Sequence, residues 1–225
     1  MGQLLGEAAR AGIFLAGEGL KPSAQRYRLA FRQGKCTVTK GPLTGGNELP
    51  AALLVLKVGT IEDALAWARR YGEAAEAEEL ELGPLTEPWD LGMGPKPPEP
   101  VPLRCMILLK ATRDSEAGVA PSARQRAALA ALEQEMTRAG VRIMAETLRP
   151  SSEAVRLRYR GAERHVIDGP FTESKELIGG FSMLRMRSMD ELIAWTDRFA
   201  RILGGECEVD LRPVAEAGDP GRGGR

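Results

Sequence analysis

The residues of this chain whose types and spacing could do chemistry stand in one stretch, HVIDGPFTESKELIGG, residues 165–180. Asp168 suits general-base work, because a carboxylate partly removed from water has a raised pKa. His165, the sole histidine of the chain, lies near enough in sequence to share a proton with it. Such groups contribute about 10²–10⁴-fold each when well placed. Strand geometry opposes the pairing: side chains alternate along an extended strand, so positions three apart project to opposite faces. His165 meets Asp168 only if the strand bends between them. The rival reading makes D-G-P a turn, in which Asp accepts hydrogen bonds from amides just downstream, Gly takes an unusual φ and Pro fixes the exit.

Residues 37–52, TVTKGPLTGGNELPAA, share the skeleton V-x-x-G-P-x-T-x-x-x-E-L but carry Lys40 in the place of Asp168 and Thr37 in the place of His165. The Gly-Pro corner is therefore read as architecture and the acid before it as free to serve a site. Gly169 and Pro170 would line such a site. Glu146 and its mate Glu18 end matching strands and either face the same cleft or are solvated strand ends. Lys175 and Glu176 either contact an anionic substrate or stand in water. Gly179 and Gly180 permit close backbone approach, to a ligand or to a neighbouring strand. No G-x-G-x-x-G, H-E-x-x-H, G-x-S-x-G or P-loop is present, and neither a metal centre nor a cofactor is expected.

The charge balance narrows the partners. Lys plus Arg and Asp plus Glu both number 31, and no run of one sign suggests nucleic acid or an anionic membrane. Cys36, Cys105 and Cys207 are far apart, lie in strand-like segments and read as reduced core thiols. MGQLLGEAARAGIFLAGEGL has no basic start followed by a continuous apolar run, so a cytoplasmic protein is expected.

The elements that must position these residues come in two related sets. Gly12 and Gly140, Glu18 and Glu146, Pro22-Ser23 and Pro150-Ser151, Gly41-Pro42 and Gly169-Pro170, and Trp67 and Trp195 all stand 128 residues apart. Roughly three positions in ten are identical at that offset, without a gap until about Glu78, which reads as a tandem duplication. The expected organisation is a truncated first copy over 1–82, a Pro-rich linker over 83–102, a complete copy over 103–216 and a disordered tail over 217–225.

In the second copy Arg104 to Leu109 reads as a buried strand. Ser122 to Gln125 is a capping box opening a helix with Leu129, Leu132 and Met136 at helical spacing, and Gly140 stands where a left-handed C-terminal residue is wanted. Val141 to Glu146 reads as a strand, Val155 to Arg160 and Arg164 to Ile167 as a hairpin around Gly161, and Phe181 to Arg187 as a further strand. Ser188 to Glu191 caps a helix carrying Leu192 and Trp195, both tryptophans being read as core. Cys207, Val209 and Leu211 alternate with charged residues in a last strand. Two βαβ halves around an antiparallel sheet make an α+β, ferredoxin-like sandwich. Its uncovered sheet face calls for a second sheet, supplied by the other copy as a pseudo-dimer within the chain or by a further chain in a homo-oligomer. The first copy has no counterpart of Arg104 to Leu109, a central strand in this order. Its absence leaves two neighbours without a ladder partner, at about 1–3 kcal/mol for each unpaired buried group. The expectation is that the start shown is internal to a longer reading frame, or that another chain or the linker supplies the strand.

Asp168-Gly169-Pro170-Phe171, followed by Thr172, Glu173, Lys175-Glu176 and Ile178-Gly179-Gly180-Phe181, closely resembles the DGPF-domain, or YCII-related, family, as do MILLKATRDSEAG, AETLRPS and EVDLRPV. The resemblance spans about residues 103–216 and extends, diverged, over about 10–87, where K-G-P-L replaces D-G-P-F and Ala51-Ala52 replaces Gly179-Gly180. It implies a dimeric α/β-barrel fold in small cytoplasmic bacterial proteins, most without established activity. It also implies that some relatives are small-molecule enzymes using a His and an Asp in a cleft, and that family genes often neighbour those of alternative sigma factors.

Two functions follow as expectations. One is a protein that binds an unidentified small molecule or acts on it by lyase- or hydrolase-type proton transfer at Asp168. The other is a non-catalytic regulatory or scaffold protein tied to alternative sigma-factor systems.

Overall fold

A computed structural model describes residues 2–161, 163–172, 174–204, 206–216 and 219. In chain order the elements are α1 (Gly2–Arg10), β1 (Phe14–Gly19), β2 (Tyr27–Arg32), β3 (Lys35–Lys40), β4 (Pro50–Val58), α2 (Ile61–Ala74), β5 (Glu79–Pro84), β6 (Leu103–Lys110), α3 (Arg113–Glu116), α4 (Ala123–Arg138), β7 (Arg142–Thr147), β8 (Val155–Arg160), β9 (Glu163–Asp168), β10 (Gly180–Leu184), α5 (Met189–Leu203) and β11 (Glu206–Leu211). The chain is mixed α+β with antiparallel sheets. Among the described residues no helix is long and apolar enough to cross a membrane. Of the tail over 217–225 expected to be disordered, only Asp219 is among the described residues.

Two compact units form, and neither coincides with residues 1–82 or 103–216. The larger comprises Gly19–Pro150, Thr172–Gly179 and Val214–Arg225; the smaller comprises Met1–Glu18, Ser151–Phe171 and Gly180–Pro213. Each draws on both halves of the sequence.

The larger unit holds a six-stranded sheet in the order β3-β2-β5-β6-β4-β7. β6 is antiparallel to β5 on one side and to β4 on the other, and β4 is antiparallel to β7. Consequently β6 and β7, joined through α4, run parallel with β4 between them, and β4 and β5, joined by α2, run parallel with β6 between them. The alternation LRCMILLK explains why β6 can be central. Cys105 and Ile107 turn to the helices and join Leu54, Leu56, Leu80, Leu82, Ala64, Ala68, Leu132 and Met136 in one buried cluster. Met106 and Leu108, on the opposite face, are buried too. Two reciprocal capping boxes, Thr60 with Asp63 and Ser122 with Gln125, start α2 and α4 by satisfying amides that lack helical partners. Gly140 ends α4 at φ 67°, as its sequence position predicts.

The smaller unit holds a three-stranded sheet, β11-β8-β9, and a separate pair, β1-β10. Its buried cluster comprises Leu157, Tyr159, Ala200 and Leu211, with Val155, Met189, Leu192, Ile193, Cys207 and Val209 packed on it. Trp195 and Trp67 are only half-buried, and each carries an arginine on its face, Arg198 at 4.6 Å and Arg70 at 4.7 Å. The tryptophans thus mark the border between core and solvent rather than the centre of the core.

Candidate functional site

The Gly-Pro corners are built alike in both units. Gly41 N–H donates to Arg26 O at 2.8 Å, and Gly169 N–H donates to Ala154 O at 3.0 Å. A Cβ on Gly41 would lie 1.8 Å from Ser23 O, and one on Gly169 would lie 1.7 Å from Ser151 O. Only glycine fits where the strand leaves the sheet against the 3-10 turn at Ser23–Gln25 or Ser151–Glu153. Both Gly-Pro bonds are cis. Behind Pro170, Phe171 N–H donates to Ser151 Oγ at 2.9 Å, and the Arg156 guanidinium stacks 4.4 Å from the Phe171 ring.

Asp168 sits exposed at the last ladder position of β9, opposite Val155, and His165 sits exposed opposite Arg158. The register from Glu163↔Arg160 to Asp168↔Val155 is unbroken. With no bulge to bend the strand, the two side chains project to opposite faces and are not brought together as a catalytic pair. The other residues expected at a site divide between the units. Gly169, Pro170 and Gly180 belong to the smaller, whereas Glu146, Lys175 and Gly179 belong to the larger. Glu146 is half-buried on β7 opposite Leu53. Glu173, between the Gly-Pro corner and Lys175, lies outside the described residues.

Within the larger unit the segment Thr172–Gly179 borders a charged centre that the sequence reading did not single out. Glu79 and Glu81 on β5, Arg28 on β2 and Lys110 on β6 share the sheet face away from the helices, since they alternate with Leu80, Leu82, Leu29 and Leu109. Glu48, in the loop before β4, is 0% exposed, Glu81 1%, Arg26 5% and Lys110 6%. The Lys110 ammonium donates to Glu48 Oε2 and lies 3.7 Å from Glu81 Oε2. Arg28 Nη2 donates to Glu48 Oε1 at 2.7 Å, and Arg26 Nη1 donates to Glu81 Oε1 at 3.0 Å. Glu81 Oε2 is buried and receives no hydrogen bond.

The backbone holds these groups in place. Gly83 leaves room beside Arg26: a Cβ there would lie 3.1 Å from Arg26 Cγ and 2.7 Å from Leu20 Cδ2. Arg26 then reaches Lys21 O at 2.6 Å and Ile178 O at 2.8 Å. Glu48 N–H donates to Ser174 O at 2.7 Å, and Ser174 N–H donates to Asn47 Oδ1 at 3.3 Å. A Cβ on Gly45 would stand 2.2 Å from Lys175 O, so the two loops touch backbone to backbone. Gly179 O accepts from Leu20 N–H at 2.8 Å. Of the residues expected at a site, Lys175 and Gly179 are thus placed beside this centre through their main chains.

Burial pushes the Glu48 carboxyl up, but the hydrogen bond and charge of Lys110, the Gly46 amide and Arg28 outweigh it and hold the group below its ordinary value. Two carboxylates share one ammonium between two arginines. Among the described residues no group of three or more His, Cys, Asp or Glu side chains could hold a metal ion. Burial pushes the Cys105 thiol up to about 12, as an inert core thiol requires.

The smaller unit carries a related but simpler arrangement. Arg156 of β8 faces Asp210 of β11 in the ladder as Arg28 faces Glu81. Its guanidinium forks onto Asp210 at 2.6 and 2.8 Å and meets Glu208 at 3.2 Å. The bond to Asp210 raises the Arg156 pKa further.

Comparison with known proteins finds one domain, which draws on both units. The YCII-related domain matches residues 104–215. An uncharacterized protein of Rhizobium meliloti (strain 1021) is 30% identical over 87 residues, which are 39% of this chain and 70% of that relative. No solved structure matches. By these matches, the chain belongs to the YCII-related family.

Proposed function

We propose that the chain is a tandem-duplicated YCII-related protein that binds a small polar molecule, with Lys110, Glu48 and Glu81 as its acid–base centre. The strand order β5-β6-β4-β7, two interlocked βαβ units, is what a ferredoxin-like sandwich requires, here with one unit drawn from each half of the sequence. The observation that carries the functional reading is Glu81 Oε2, an almost wholly buried carboxylate oxygen without a hydrogen bond and 3.7 Å from Lys110 Nζ. Buried ions cost several kcal/mol each to desolvate, and packed apolar residues are often as stable or more so, so such clusters concentrate where chemistry uses them. In this reading Glu81 takes or returns a proton and Lys110 holds the anion beside it, as lyase- or hydrolase-type chemistry needs. Asp168 is the weaker candidate, because an exposed carboxylate lacks the surroundings that tune a general base.

The test is a thermal-shift screen with a metabolite library on the wild type, Glu81→Gln and Asp168→Asn. The expected result is a ligand-induced shift that survives Asp168→Asn and disappears in Glu81→Gln. A shift lost only in Asp168→Asn would return the site to the DGPF corner.

The second reading, a non-catalytic regulatory or scaffold protein, is favoured by β9. All six of its residues are exposed, with Val166 and Ile167 projecting to opposite faces as an edge strand open to pairing.

A further inference from the structure

The two units have the same strand order with one place empty. β8 and β9 begin 128 residues after β2 and β3, and β7 begins 128 after β1. Likewise α5 and α2 begin 128 apart, which makes β10 and β11 the counterparts of β4 and β5. Written in this correspondence, β3-β2-β5-β6-β4-β7 becomes β9-β8-β11, a gap, and β10-β1. The gap falls where β6 stands.

What β6 does in the larger unit shows what the gap lacks. It pairs with β5 from Leu80↔Leu109 to Pro84↔Cys105 and with β4 from Ala52↔Leu109 to Val58↔Leu103. It also adds Cys105 and Ile107 to the helix side of the core. The strands it joins are buried over Ala52–Leu56 and Leu80–Gly83. Their counterparts are not: β10 has no buried residue, and in β11 only Leu211 is buried. On α5, Ile202 and Leu203 are each 46% exposed.

We infer that the smaller unit is completed by an extended strand, apolar on both faces, that inserts between β10 and β11 antiparallel to both. The larger unit identifies this occupant. In the larger unit the chain leaves β6, passes through α4 and enters β7 beside β4; in the smaller, α1 feeds β1 beside β10 in the same way. The occupant has the chemistry of Leu103–Lys110, because the free amides and carbonyls of β10 and β11 specify an extended backbone and the half-built core specifies alternating apolar side chains.

The test supplies that strand and reads the edges. Residues 103–129, placed ahead of Gly2, restore the 128-residue register with a strand and the first half of a helix. Amide hydrogen exchange in β10 and β11 should then slow by at least about tenfold, while β4 and β5 stay unchanged. The same extension with proline at its Ile107 position should have no such effect. Unchanged exchange in β10 and β11 of the folded, extended protein would overturn the inference. If the extended chain does not fold, the synthetic peptide LRCMILLK added to the unmodified chain reads the same edges. Slowing there supports the inference, and no slowing at saturating peptide overturns it.

Discussion

The six-stranded and the divided sheet are built from matching strands, and one strand separates their behaviour. With β6 in place, β4 and β5 bury their interiors and Lys110 arrives between Glu48 and Glu81. In the divided sheet the ladder contact of Arg156 with Asp210 repeats that of Arg28 with Glu81, yet β10 and β11 remain half-exposed. A central strand thus supplies two things at once, a backbone ladder for both neighbours and the residue that completes a charged centre. Local sequence can preserve hairpins, corners and helix caps without it, because those depend on neighbours in the chain.

The sharpest way to break this comparison is to remove the cation that β6 brings. Lys110→Met leaves two buried carboxylates sharing only the arginines, and we expect a loss of about 3–5 kcal/mol in denaturant unfolding. Arg156→Met should cost less, about 1–3 kcal/mol, because its partners Glu208 and Asp210 are 18% and 20% exposed and can recover water. Equal losses would mean that the two centres are equivalent and that β6 adds nothing to the electrostatics. A smaller effect sharpens what the units share. Gly41→Ala and Gly169→Ala each force a methyl onto a carbonyl, and both should destabilise by about 1–3 kcal/mol. A substantial loss in only one would show that the corners carry different loads.

Much of the fold was legible because its signals are local. Ser122 with Gln125, Gly140 and the apolar run RCMILL predicted α4, its end and β6, and all three formed where expected. The missing strand was expected between neighbours in the first half; instead β6 of the second half stands between β4 and β5, and β10 and β11 are the strands that share no partner. How the halves distribute themselves was not legible. Nothing in residues 1–82 says that β4 and β5 close around a strand of the other half, because that choice is made by long-range pairing. The charged centre escaped for a related reason. Glu79 and Glu81 alternate with leucines and read as the wet face of a strand, and only the registers with β2 and β6 reveal that Glu81 is buried. One signal was available: the shared skeleton ends in E-L in both halves, and its first glutamate is Glu48. The reading of His165 with Asp168 depended on a bend that the unbroken β8–β9 register does not contain.

The most direct measurement is residue-resolved amide hydrogen exchange on the unmodified chain, comparing β4 and β5 with β10 and β11. The account predicts slow exchange along both sides of β4 and β5, together with fast exchange at the amides of β10 and β11 that point into the empty place. Protection of β10 and β11 equal to that of β4 and β5 would contradict it.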